Sequence, residues 1–279
     1  MPLRAILMCL ICSLTGCSYF RNVNTAEQWD RGYLVVLPGV EGESWFNSNI
    51  AQGLRDGGVD SAIEVYDWTT GHWVLFPLHL RHLERNREQA RTIAGKIVAY
   101  QDAYPGRPVH VVGNSGGGGV AMLTLEALPE DRQVTSVVLL APAISPNYDI
   151  CRALEKTEHG IWNYHSGGDW FILGAGTSLF GTVDGRHTPS AGMIGFNLPA
   201  DRRDDAAITN KLHQIPYDPH MLANGHYGGH FSVNGFSFVR DWVASRITSQ
   251  PDTSASAIAE GTDETNLTRT AAAEAEPTK

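Results

Sequence analysis

The chain has 279 residues, 42% hydrophobic and 18% charged, with a net charge of −9. Setting aside the two ends treated below leaves about 230 residues, enough for one domain with a sizeable core. The acidic balance and the scatter of the basic residues argue against nucleic acid as a partner, and no internal repeat occurs.

In chain order, Met1–Cys17 begins with Arg4 and continues as the apolar run Ala5–Leu14. That run is too short for a permanent bilayer span, which needs about 20 residues, so residues 1–16 read as a targeting segment and not as part of the fold. Residues 17–31 are mostly polar and read as a linker. Tyr33–Leu37 (YLVVL) is short, β-branched and apolar, the pattern of a strand covered on both faces. It ends in Pro38-Gly39-Val40-Glu41-Gly42. A helix is expected over Ser44–Asp56 with Ser44 as its N-cap. Ala62–Tyr66 reads as the second strand and Trp68–Leu80 (WTTGHWVLFPLHL) as a loop. Leu83–Tyr104 carries Ala90, Ile93, Ala94, Ile97 and Val98 at helical spacing. Val109, Val111 and Val112 mark the third strand, Val120–Leu128 an apolar helix, and Thr135–Leu140 the fourth strand. A short helix over Ile150–Lys156 precedes the fifth strand, Ile161–His165. After a glycine-rich passage, Leu212–Ile215 reads as the sixth strand. A loop over Pro219–Ser232 holds three histidines. Phe236–Ile247 closes the domain as an amphipathic helix, with Phe236, Val239, Val243 and Ile247 on one face.

Strands alternating with helices imply an α/β domain over residues 32–248, a mostly parallel sheet of about six strands with helices on both faces. Ligands of such sheets bind at the carboxyl ends of the strands. From residue 249 onward Ala, Thr, Glu and Ser dominate, with six acidic against two basic residues beyond Ser249. A tail with so few large apolar groups cannot offset the entropy of ordering and is expected to be disordered.

One stretch carries chemistry. Between the third strand and its helix stands Gly113-Asn114-Ser115-Gly116-Gly117, a G-x-S-x-G pattern in a strand–turn–helix setting. Such a turn holds the serine hydroxyl above the sheet, and its glycines avoid clashes in a tight bend. A phosphate loop would need a Gly-Lys-Ser/Thr ending, which is lacking. Gly116-x-Gly118-x-x-Ala121 also fits a dinucleotide fingerprint, but that pattern should begin where the strand ends, and counted from Gly113 its second glycine falls on Ser115. The register favours the serine turn.

Leu14-Thr15-Gly16-Cys17 resembles the lipobox of bacterial lipoproteins. The resemblance implies cleavage before Cys17 and lipidation of that cysteine. It thereby implies attachment to a membrane surface. Ser18 after the cysteine implies the outer membrane, facing the periplasm. Cys9 and Cys12 would leave with the signal, so Cys151 remains with no disulfide partner and reads as a small buried hydrophobe.

From Tyr33 to Ile247 the order of motifs resembles the α/β-hydrolase family, which presents nucleophile, acid and histidine in that order along the chain. The resemblance implies Ser115 as nucleophile, Asp169 after the fifth strand as acid, and His230 before the closing helix as base. Serine needs both partners, because an imidazole must take its proton and a carboxylate must hold that imidazole in the right tautomer. Asp184 is the rival acid; His226 and then His220 are the rival bases. His226-x-x-x-His230 also has metal-pair spacing when helical, but two intervening glycines oppose a helix. Oxyanion donors are expected from Gly116 N–H and from Val40 N–H, with Glu41 as the alternative to Val40. No cofactor or metal is implied. The expected activity is hydrolysis of small-molecule or lipid esters, with peptidase, acyltransferase and non-catalytic binding protein as alternatives. No long insertion separates the fourth and fifth strands, which favours small or exposed substrates. The aromatic loop Trp68–Phe76 either lines an acyl pocket or covers the sheet edge. The oligomeric state is not legible.

Overall fold

The computed structural model describes residues 23–72, 75–169, 173–174 and 176–249. The expected targeting segment, Cys17 and the acidic tail beyond Ser249 lie outside the described residues.

Six strands form one parallel sheet: β1 (Tyr33–Leu37), β2 (Ala62–Val65), β3 (Val109–Asn114), β4 (Ser136–Leu140), β5 (Ile161–His165) and β6 (Leu212–Pro216), in the order β2-β1-β3-β4-β5-β6. Every residue of β1, β3 and β4 is buried, because helices cover both faces. This is why β1 and most of β4 read as continuous apolar runs and not as alternations, while β3 admits His110, whose Nδ1 lies 2.7 Å from Ser136 Oγ on β4. Within them the pleat still sorts the side chains. Val35, Leu37, Val111, Val137 and Leu139 share one core layer, and Leu34, Val36, Val112, Val138 and Leu140 the other.

The first layer is closed by Ile93, Ala94 and Ile97 and by Val120, Met122 and Leu125. These residues sit on two helices that pack against each other. The second layer is closed by Ile50, Ala51 and Leu54 and by Phe238, Val239 and Val243. The helices are α1 (Ala26–Arg31), α2 (Trp45–Asp56), α3 (Phe76–Arg81), α4 (Leu83–Ala103) and α5 (Gly116–Ala127), followed by shorter pieces. The chain steps outward from β1 to β2, then returns across β1 to β3. The helices that follow β1 and β3 therefore pack on opposite faces, α2 in the second layer and α5 in the first, and such a reversal at the carboxyl edge is where an α/β sheet presents its ligand site.

Several elements depart from the sequence expectation. The expected linker contains α1, held by a capping box in which Thr25 Oγ1 accepts Gln28 N–H at 3.3 Å and Gln28 Oε1 accepts Thr25 N–H at 2.9 Å. Trp29 packs its ring against Tyr33 and Tyr100, so this polar-looking segment is tied to the core by one aromatic. The expected aromatic loop contains α3. The elbow helix starts at Gly116 and not at Val120. Ser44 stands at the N-cap of α2, but its hydroxyl makes no capping bond and accepts Asn47 Nδ2 at 2.9 Å instead. The closing helix changes pitch, with a π segment over Val239–Val243 between Phe236–Phe238 and Ser245–Thr248. Among the described residues no helix is long and apolar enough to cross a membrane.

Candidate active site

The site begins where β3 stops. Ser115 has φ 51° and ψ −119°, a positive φ that few non-glycine residues adopt. Strain of this kind persists only where the surroundings enforce it. Here Ser115 N–H donates to Leu140 O at 2.9 Å, and Ser115 O accepts Gly118 N–H at 3.0 Å and Ala143 N–H at 2.9 Å. The glycines are required by their neighbours. A Cβ on Gly117 would stand 2.3 Å from the carbonyl oxygens of Leu37 and Pro38, and one on Gly113 would stand 2.7 Å from Gly118 Cα. The turn is thus pressed against the loop leaving β1 and holds Ser115 at the carboxyl edge of the sheet.

Asp169 and His230 meet Ser115 there. His230 Nδ1 lies 2.6 Å from Asp169 Oδ2, and His230 Nε2 lies 3.1 Å from Ser115 Oγ. Asp169 is 3% exposed and the His230 side chain 8%, so the pair operates with little solvent screening. A proton on Nδ1 satisfies the carboxylate and leaves the Nε2 lone pair facing the serine hydroxyl, the tautomer a general base needs. The second Asp169 oxygen accepts Leu173 N–H at 3.4 Å.

The loops bearing Asp169 and His230 are joined directly. Ser166 Oγ donates to Gly228 O at 2.6 Å, between the exit of β5 and the glycine pair before His230. Ser232 Oγ donates to Gly229 O and accepts Tyr227 N–H and His226 Nδ1. His226 is thereby an anchor of the loop. It is buried between Tyr217 and Phe238, and burial pushes its pKa down to about 4. His220 is exposed and bonded to Asp218. Asp184 accepts the Thr182 hydroxyl in its own loop and Ser145 N–H from the segment after β4. The structure brings together Ser115, Asp169 and His230 and leaves these three rivals with other partners. Among the described residues no group of three or more His, Cys, Asp or Glu is placed to hold a metal ion. Cys151 is buried and free, and burial raises its pKa to about 11.

Gly116 opens α5, where a helix leaves its first N–H groups without an internal partner and concentrates positive potential. The loop after β1 abuts it: Val40 Cγ1 would lie 2.6 Å from a Cβ on Gly116. This loop is held from behind by side chains that the sequence reading did not single out. Trp68 Nε1 donates to Pro38 O at 2.7 Å, His79 Nδ1 lies 2.8 Å from Val40 O, and Asn47 Nδ2 donates to Gly42 O at 2.8 Å. Trp68 is fully buried with its ring edge beside Gly116, so it does not line an open pocket. The only sequence signals were a tryptophan just past a strand and a lone histidine in the apolar run FPLHL. Glu41 curls over Gly39, and burial raises its pKa while nearby His230 opposes the rise. Phe46 and Phe231 stack at 5.3 Å, and the rings of Phe231 and His230 meet edge to face, forming an apolar rim beside His230.

No family model matches the chain, and no curated protein matches it. Among solved structures, the crystal structure of a lipase/esterase from Lactobacillus plantarum is similar, at 12% identity over 71% of this chain and 80% of that one, with a TM-score of 0.42. So distant a likeness carries no weight for the chemistry, which rests on the side chains described above.

Proposed function

We propose that the protein is a serine hydrolase that cleaves carboxylic esters through an acyl-Ser115 intermediate. The observation that carries this reading is the continuous contact from Asp169 through His230 to a serine held at positive φ on a strand–helix turn. In the first step His230 Nε2 takes the hydroxyl proton as Ser115 Oγ attacks the ester carbonyl. The negative oxygen so formed is received by Gly116 N–H and Val40 N–H, and Asp169 stabilises the imidazolium. Collapse expels the alcohol, which leaves with the proton from His230. Water then enters, loses a proton to His230, and releases the carboxylic acid from Ser115. The exposed rim of Phe231 and Trp45 supports small or accessible esters as substrates in preference to long buried chains.

The test is hydrolysis of p-nitrophenyl esters of increasing chain length by protein lacking the targeting segment. Turnover is expected with short acyl groups and should disappear in Ser115→Ala. Asp169→Asn should lose roughly 10⁴-fold in kcat, because the imidazole then settles in the wrong tautomer. Equal turnover by Ser115→Ala would overturn the reading.

A further inference from the structure

His79 has no part in the steps above, yet it is fully buried between α3 and the loop leaving β1. Its ring is held on both sides. Thr70 N–H donates to Nε2 at 3.2 Å, with the Thr70 hydroxyl at 2.9 Å from the same atom. A nitrogen that accepts a backbone N–H carries no proton. The ring proton therefore sits on Nδ1 and is donated to Val40 O, 2.8 Å away. The backbone of His79 is fixed in turn, since buried Asn86 donates to its carbonyl at 2.7 Å. Burial also lowers the pKa of the ring, in keeping with a neutral imidazole.

The consequence lies one peptide away. Val40 N–H belongs to the Gly39–Val40 peptide. The peptide before it has its carbonyl tied to Trp68, and the peptide after it has its carbonyl tied to His79. The middle peptide has one bond of its own, from Gly42 N–H to Gly39 O at 3.1 Å, and Gly39, with no Cβ, leaves the rest of its aim to the two clamped neighbours. Oxyanion donors act by being aimed before the charge develops, so a donor free to rotate loses most of its value.

We propose that His79 is a positioning residue that aims Val40 N–H at the oxyanion by clamping the Val40 carbonyl, an inference that rests on the serine-hydrolase reading. The test is the kcat and KM of p-nitrophenyl acetate hydrolysis, with the melting temperature of each variant. His79→Gln withdraws the donor from Val40 O, whereas His79→Asn returns an N–H to the place of Nδ1. His79→Gln should lower kcat about 10-fold or more, short of the 10²–10³ that follows outright loss of a donor, with KM unchanged. His79→Asn should restore most of kcat. Wild-type kcat in His79→Gln overturns the proposal. An equal loss in both variants also overturns it, because the ring would then only fill space. Should His79→Gln not fold, Thr70→Val, which keeps the ring and removes a group that orients it, should lower kcat at constant KM, and an unchanged kcat overturns the proposal. Wild-type protein that does not hydrolyse the ester, or does so equally without Ser115, overturns the hydrolase reading and this inference with it. Activity that depends on Ser115 but not on His79 overturns this inference alone.

Discussion

Three histidines in one loop differ in burial, and burial separates their roles. His230 touches Ser115 and Asp169, His220 lies in solvent, and His226 is sealed among aromatic rings. Two buried histidines also tie stability to pH. His226 and His110 have pKa values pushed down to about 4, chiefly by burial, from an ordinary 6.5. The unfolded chain therefore binds protons at these sites between those values while the folded chain does not. Their contribution is complete above pH 6.5, declines as pH falls, and is gone below about 4. Each is worth at most roughly 3 kcal/mol on this linkage. The melting temperature is expected to fall across this window. His226→Asn keeps a donor for Ser232 and removes one titration, so it should visibly flatten the fall, and an unchanged slope would refute the assignment. Ser115, Asp169 and His230 were legible as residues because their order along the chain survives folding. Trp68 and His79 were not. Their hydrogen bonds reach 30 and 39 positions back along the chain, to carbonyls that any sequence could supply.

At the scale of elements, the strands were the most legible. YLVVL and IWNYH became β1 and β5 with the expected bounds; β1 is apolar throughout, as covering on both faces favours, whereas β5 admits buried Asn163, whose Nδ2 donates to Ala191 O at 3.2 Å. Elements built on glycine or on single aromatics were not. The first turn of α5 is Gly116-Gly117-Gly118-Gly119, poor helix formers that periodicity cannot recognise. They are admitted because the helix N-terminus lies flush on its surroundings. A Cβ on Gly118 would meet Pro142 at 2.7 Å, and one on Gly119 would meet Val183 at 2.6 Å. Likewise α1 hid in a polar segment, although its capping box Thr25-x-x-Gln28 was present to be read. α3 was missed because Pro77 and the aromatics around it suggest a loop, whereas proline is well tolerated in the first turn of a helix.

At the scale of the molecule, the strand order explains why the functional residues converge. The strand order reverses between β1 and β3; β3 delivers Ser115 to the carboxyl edge, β5 delivers Asp169, and the loop ahead of the closing helix delivers His230. The sequence predicted parallel strands and the edge where ligands bind, but not the neighbours of each strand, which depend on packing between distant segments. Outside the described residues, Cys17 stands in a lipobox-like Leu14-Thr15-Gly16-Cys17, and we propose that it carries lipid and tethers the domain to the cell envelope. Expressed in a bacterial host, the wild-type chain should partition into detergent and accumulate as precursor under globomycin. A Cys17→Ala variant that partitions identically would contradict the tether.

The central claim is that Ser115 is a nucleophile activated by His230 and oriented through Asp169. The most direct measurement is intact-protein mass spectrometry after exposure to a fluorophosphonate, which reacts with activated serines. One adduct on the wild-type chain, mapped to Ser115, lost in Ser115→Ala and strongly slowed in His230→Ala but not in His226→Asn, is the result expected. An unlabelled wild-type protein, or labelling that ignores Ser115 and His230, would contradict it.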